Sequence, residues 1–143
     1  MKTVRQLLVA KGGTVIAISP NASMSDAMKM MIVKNIGALL VLDAENVLVG
    51  IVSERDCVKR MATPDPLAQN VLVSEIMTTK VLYVRPEQTN EECMALITEK
   101  RIRHLPVLEN KCVIGVLSIG DMVKDTIAEK DFLIDQLINY ICH

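Results

Sequence analysis

Two short stretches of this chain place an aspartate three residues after a serine, directly behind branched apolar residues. They are Gly50-Ile51-Val52-Ser53-Glu54-Arg55-Asp56 and Gly115-Val116-Leu117-Ser118-Ile119-Gly120-Asp121. Each reads as a buried strand running into a helix, with the serine at the junction. A helix start offers unpaired N–H groups and partial positive charge, which suits an anion. A carboxylate there repels phosphate but accepts hydrogen bonds from a sugar diol, its task in dinucleotide-binding folds. Serine toward phosphate and aspartate toward ribose is the chemistry this spacing offers. Ser-x-x-Asp also spells a helix cap with its reciprocal partner, which needs no ligand. A single copy would be read that way; the duplication favours the ligand.

The composition bounds what else the chain does. Of 143 residues half are hydrophobic, and only Tyr83, Phe132 and Tyr140 are aromatic, so the core is aliphatic and Met-rich. An adenine ring would be held between aliphatic side chains. The net charge of −1, with cations dispersed among acids, argues against a nucleic-acid groove. No apolar run approaches the roughly 18–20 residues of a membrane span. Lys2 and Arg5 precede a run that stops at Lys11, too short for a secretory signal, so a cytoplasmic protein is expected. Cys57, Cys93, Cys112 and Cys142 are scattered, and His104 and His143 are the two histidines. Metal-ligand spacing is absent and the cysteines read as packing residues. Cys57, beside Asp56 near a helix start, is the one nucleophile candidate, since such a position lowers a thiol pKa. With no Gly-rich phosphate loop and no Cys–His pair, no catalytic residue is assigned and an enzyme is not expected.

The elements that position these residues repeat. Residues 1–13 read as a short helix ended by Gly12-Gly13, and Thr14–Ile18 as a strand. Ser23-Met24-Ser25-Asp26 is a capping box opening a helix to about Lys34, and Ile36–Leu42 and Val47–Val52 form a hairpin into the helix after Ser53. Thr63-Pro64-Asp65-Pro66 breaks the chain. The pattern then returns: strand Val81–Val84, capping box Thr89–Glu92, a helix, and a hairpin from Ile102 into Ser118. Pro20 and Pro86, Ser23 and Thr89, Ile36 and Ile102, and Val41 and Val107 each lie 66 apart; Gly50 and Gly115 lie 65 apart, as do Asp56 and Asp121. The expected fold is α/β (α+β), two β-α-β-β-α repeats packed with pseudo-two-fold symmetry. The first repeat with its N-terminal helix spans 1–65, the second 66–127, and an amphipathic helix 128–143. Leu133, Leu137, Tyr140 and Ile141 share a stripe that either caps the repeats or meets another subunit.

Two such repeats, each ending in Gly-h-h-Ser-x-x-Asp (h, an apolar residue), resemble a tandem pair of cystathionine-β-synthase (CBS) domains, the Bateman module. Lys34-Asn35-Ile36-Gly37-Ala38-Leu39-Leu40-Val41 and Lys100-Arg101-Ile102-Arg103-His104-Leu105-Pro106-Val107 resemble the family's helix-to-strand stretch. The resemblance runs from about Val4 to Asp125 and is to small stand-alone bacterial members and their plant organellar relatives. It implies a non-catalytic, energy- or redox-sensing signal-transduction module that binds AMP, ADP, ATP or NAD(H), with S-adenosylmethionine a further member of the ligand class. Each implied site joins the Ser-x-x-Asp of one repeat to the first strand and helix-to-strand loop of the other. One site takes Ile51, Ser53, Arg55 and Asp56 with Lys80, Val81, Arg103 and His104. The other takes Val116, Ser118 and Asp121 with Thr14, Val15, Gly37 and Ala38. Lys80, Arg103 and His104 make the Asp56 site the expected place for phosphate; the Asp121 site is expected to take a weaker or less charged ligand, or to stay empty. The resemblance also implies a homodimer and a regulated partner, which no residue here names. The alternative is a module without ligand, acting through homodimerisation alone.

Overall fold

The computed structural model describes residues 2–12, 15–64 and 70–142. Its elements, in chain order, are α1 (Val4–Lys11), β1 (Ala17–Ile18), α2 (Met24–Lys34), β2 (Ala38–Leu42), β3 (Leu48–Ser53), α3 (Glu54–Met61), α4 (Val73–Ile76), α5 (Asn90–Lys100), β4 (His104–Glu109), β5 (Cys112–Ser118) and α6 (Ile119–Cys142). They form two units. One comprises Thr14–Leu82 with Asn110–Val113; the other comprises Met1–Gly13, Tyr83–Glu109 and Ile114–His143.

In the unit holding the first repeat, a hydroxyl starts α2: Ser23 Oγ accepts from the Asp26 N–H at 3.0 Å. The return bond of a full capping box is not made there. α2 ends where Asn35 turns left-handed at φ 54°. β1 pairs parallel with β2 (Ile18 opposite Val41), and β2 pairs antiparallel with β3 (Leu39 opposite Val52). The hairpin turn is fixed by Asp43, whose Oδ1 accepts from the N–H groups of Glu45 and Val47. Ile18, Met24, Ala27, Met31, Leu39, Val41, Val52, Cys57 and Val73 fill the core. α4 closes it, and Gly50 admits Met77: a Cβ on Gly50 would stand 2.6 Å from its sulfur and 3.0 Å from the Thr78 carbonyl.

In the unit holding the second repeat, β4 and β5 form the hairpin and α5 and α6 pack on it. The strand expected over Val81–Val84 is reduced to one parallel bridge, Val84 to Val107. Its two bonds are Val84 N–H to the Pro106 carbonyl and Leu108 N–H to the Val84 carbonyl. Pro106 stands where the first repeat has Leu40, and without an N–H it cannot lengthen the ladder.

Two boundaries differ from the sequence reading. α1 belongs to this unit, not to the first repeat, because Val4, Leu7 and Leu8 pack into the core with Val84, Leu105, Leu117 and Met122. Helix α6 runs unbroken across residue 128, since no Gly or Pro follows Gly120 to stop it. Its last buried residue is Asp125, so the Leu133, Leu137, Tyr140 and Ile141 stripe is exposed and does not cap the second repeat.

α1 and α4 are counterparts, a relation the 66-residue register does not contain. Val4 N–H bonds the Gln88 carbonyl as Val73 N–H bonds that of Ala22. Gln6 and Glu75 each reach back to the backbone N–H before their helix. Leu8 sits against Gly115 as Met77 sits against Gly50. The step is 69 residues, and it carries Lys11 onto Lys80.

Candidate functional site

Both Ser-x-x-Asp copies fold as reciprocal caps at the end of a strand. Ser53 is extended (φ −120°, ψ 166°) and its Oγ accepts from the Asp56 N–H at 3.3 Å. In return Asp56 Oδ2 accepts from the Ser53 N–H at 2.9 Å and from its hydroxyl at 3.0 Å. In the second copy Ser118 Oγ accepts from the Asp121 N–H at 3.2 Å, and Asp121 Oδ2 accepts from the Ser118 N–H at 2.8 Å. In Asp56 one carboxylate oxygen holds the helix start, and the other has no hydrogen bond or ion pair among the described residues. Capping and ligand binding are therefore compatible at this carboxylate.

The loop before each middle strand lies against the helix start of its own repeat. Glu54 N–H donates to the Gly37 carbonyl at 3.0 Å, and Ile119 N–H to the Arg103 carbonyl at 3.0 Å. Both loops are turned by a left-handed residue, Asn35 and Arg101. In the first unit this brings Gly37 beside Glu54, and Ala38 opposite Ser53 in the sheet. Ile51 exchanges both backbone bonds with Thr78. Arg55 is exposed on the first turn of α3; Lys80 is exposed, and Val81 and Val15 are half-buried outside any strand. Thr14 lies outside the described residues.

The second unit gathers charge around Asp121. Lys11 Nζ donates to Asp121 Oδ2 at 2.7 Å and to the Val116 carbonyl at 2.6 Å. Burial pushes the Asp121 carboxyl up, but the Lys11 hydrogen bond and the bonds from Ser118 outweigh it and hold the group below its ordinary value. His104, half-buried at the start of β4, is held below the usual imidazole value. Burial is the main cause; the Lys11 charge adds to it, Asp121 opposes it, and Arg103 lowers it further. Within this unit Lys11 thus brings a cation to Asp121, a charge that the comparison of the two sites in sequence did not include. Sequence reasoning missed Lys11. Its signal was available in Thr3–Lys11 set against Leu72–Lys80, two stretches alike in Val, Gln or Glu, paired apolar residues and a closing Lys.

The cysteine alternative meets an obstacle. Cys57 is buried, and burial together with the Asp56 and Glu54 charges pushes its thiol up, away from the reactive thiolate. Cys93 is pushed up to about 11 by burial and Glu92. A shallow groove of about 590 Å³ on the first unit, lined by Ala17, Ile18, Asp26, Lys29 and Val33, contains none of the Ser-x-x-Asp residues. Among the described residues no three His, Cys, Asp or Glu side chains cluster to hold a metal, and no helix is long and apolar enough to cross a membrane.

A helix-strand-strand-helix pattern present twice, preceded by a strand in the first copy and a single parallel bridge in the second, each closed by a Ser-x-x-Asp helix start, defines a tandem α+β module. The chain belongs to the CBS domain family, whose model matches residues 11–63 and 73–126. It is 33% identical over 147 residues to the mitochondrial CBS domain-containing protein CBSX3 of Arabidopsis thaliana, covering 97% of this chain and 71% of that one. It spans about a quarter of the length of longer Arabidopsis thaliana relatives such as CBSCBSPB1. Among solved structures, the CBS domain protein NE2398 superposes with a TM-score of 0.82 at 54% identity, covering 88% of this chain and 98% of that one. CBSX2, solved in complex with AMP, superposes with a TM-score of 0.77 at 27% identity, covering 91% of this chain and 99% of that one.

Proposed function

We propose that this chain is a regulatory module that binds an adenosine nucleotide (AMP, ADP, ATP or NAD(H)) through its two Ser-x-x-Asp helix starts and passes occupancy to a partner protein. One observation carries the reading: both copies keep a strand-to-helix junction at which aspartate Oδ2 accepts the serine N–H, leaving the other carboxylate oxygen without a hydrogen bond among the described residues. AMP in CBSX2 supports the ligand class. Ile51, Ser53, Arg55, Asp56, Lys80 and Val81 with Arg103 and His104 are proposed for one ligand, and Val116, Ser118 and Asp121 with Thr14, Val15, Gly37 and Ala38 for the other. Coupling to a partner requires a ligand that favours one of two states. The proposal also includes a homodimer, supported by the exposed apolar residues of α6.

Mass spectrometry of the purified chain under native and then denaturing conditions tests this, followed by calorimetric titration with AMP, ATP, NADH and S-adenosylmethionine. A co-purifying adenosine compound, or saturable binding that Asp56→Ala weakens, supports the proposal. Losing a charge-assisted bond worth about 1.5–3 kcal/mol corresponds to roughly a tenfold to hundredfold weaker affinity. No binding across the panel reduces both Ser-x-x-Asp copies to caps. It would favour the second reading, an interaction module acting through the α6 face.

A further inference from the structure

The ammonium of Lys11 covers two acceptors at once, the Asp121 carboxylate at 2.7 Å and the Val116 carbonyl at 2.6 Å. Asp121 is the carboxylate to which the proposed function gives the ribose, and Val116 belongs to the same proposed site. The first copy is arranged otherwise. There the Ile51 carbonyl is taken by the Thr78 N–H, and Asp56 makes no ion pair among the described residues. The difference follows from the chain before each copy. α1 stays helical through Lys11, whereas α4 ends at Ile76 and the chain beyond it pairs with β3 as extended backbone.

We propose that Lys11 sets the ligand class at Ser118 and Asp121, admitting phosphorylated adenosine compounds and rejecting neutral nucleosides and sulfonium-bearing ones. This deepens the nucleotide-binding reading and rests on it. A ribose that takes Asp121 must displace the exposed ammonium of Lys11 from its carboxylate. A ligand phosphate gives the ammonium a new partner; a nucleoside offers none, and a sulfonium adds a like charge. Lys11 thereby turns from carboxylate to phosphate as the ligand enters, and the end of α1 registers the event.

The test uses the full chain in an Asp56→Asn background, so that calorimetry reads the Asp121 copy. AMP, adenosine and S-adenosylmethionine are titrated into this protein and into versions that add Lys11→Met, Lys11→Gln or Lys11→Arg, each checked for its helical circular dichroism signal. The expected result is a preference for AMP over adenosine that falls by about tenfold or more in the two neutral variants, with adenosine binding tighter than before, and that Lys11→Arg retains. An unchanged AMP-to-adenosine ratio in folded Lys11→Met and Lys11→Gln overturns the inference while leaving nucleotide binding intact. Binding of AMP by the wild-type chain but not in the Asp56→Asn background overturns it too, because the Asp121 copy then holds nothing. Absence of any adenosine binding by the wild-type chain is a different failure, since it removes the reading on which the inference rests.

Discussion

Two titrating groups, His104 and Asp121, respond to the charge of Lys11. His104 is pushed down chiefly by burial and then by the Lys11 charge, while Asp121 is held down by Lys11 and Ser118. The imidazole of the folded chain therefore titrates below about 6.5, the value expected unfolded. The unfolded chain binds that proton more readily, so stability falls as pH drops from about 6.5 through the folded value. For Asp121 the folded value lies below its ordinary 3.8. Its contribution is present above that pH and is lost as pH falls through the folded value. Acid should thus weaken the fold in two separate windows. NMR titration of the His104 ring, with His143→Asn to assign it, should place its midpoint below 6.5 and move it upward in Lys11→Met. A midpoint indifferent to Lys11 would contradict the cluster. The Ser-x-x-Asp pairs were legible in sequence because spacing alone defines a cap. Lys11 is legible only through the 69-residue step that sets Thr3–Lys11 against Leu72–Lys80, which the 66-residue register conceals.

At the scale of elements, α1 is held by the fit of Leu8 over Gly115. A Cβ on Gly115 would stand 2.6 Å from Leu8 Cδ2, so Gly115→Ala should lower stability by about 1–3 kcal/mol through overpacking. Leu8→Ala, which empties the same space, should cost about 2–5 kcal/mol. The two residues are in contact, so the double variant should cost less than the sum, a coupling that urea titration of all four proteins measures. Strict additivity would mean that α1 does not lie on β5 as described. Gly50→Ala should also destabilise, with less room to relax, because the Thr78 backbone as well as the Met77 side chain stands in the way. Helix starts and hairpins were readable from Ser, Thr, Asp and Gly placed at their junctions. The lost strand before Pro86 was not, since the residue that ends its ladder, Pro106, lies over twenty positions away in sequence.

For the whole molecule, the 66-residue register revealed a duplicated α+β module and the CBS family to which it belongs. It hid the partition of the chain into units, because α1 joins the second repeat through side-chain packing that no local pattern announces. The exposed face of α6 belongs to this scale. Phe132, Leu133, Leu137 and Tyr140 are each more than half exposed, an apolar surface that water disfavours. A second copy of the chain is the occupant we expect. Sedimentation should show a dimer that Phe132→Glu with Leu137→Glu converts to a monomer of unchanged helical content. A wild-type chain that stays monomeric at the concentrations used for calorimetry would remove that expectation.

The central claim is that the duplicated Ser-x-x-Asp junctions receive an adenosine nucleotide. Its most direct test is calorimetric titration of AMP into the wild-type chain, Asp56→Ala, Asp121→Ala and the double variant, with circular dichroism confirming each fold. The expected result is saturable binding by the wild type, weakened by roughly tenfold to a hundredfold at the site each single change removes, and no measurable binding by the double variant. A folded double variant that binds AMP as the wild type does would show that the nucleotide sits elsewhere and that these aspartates only cap helices.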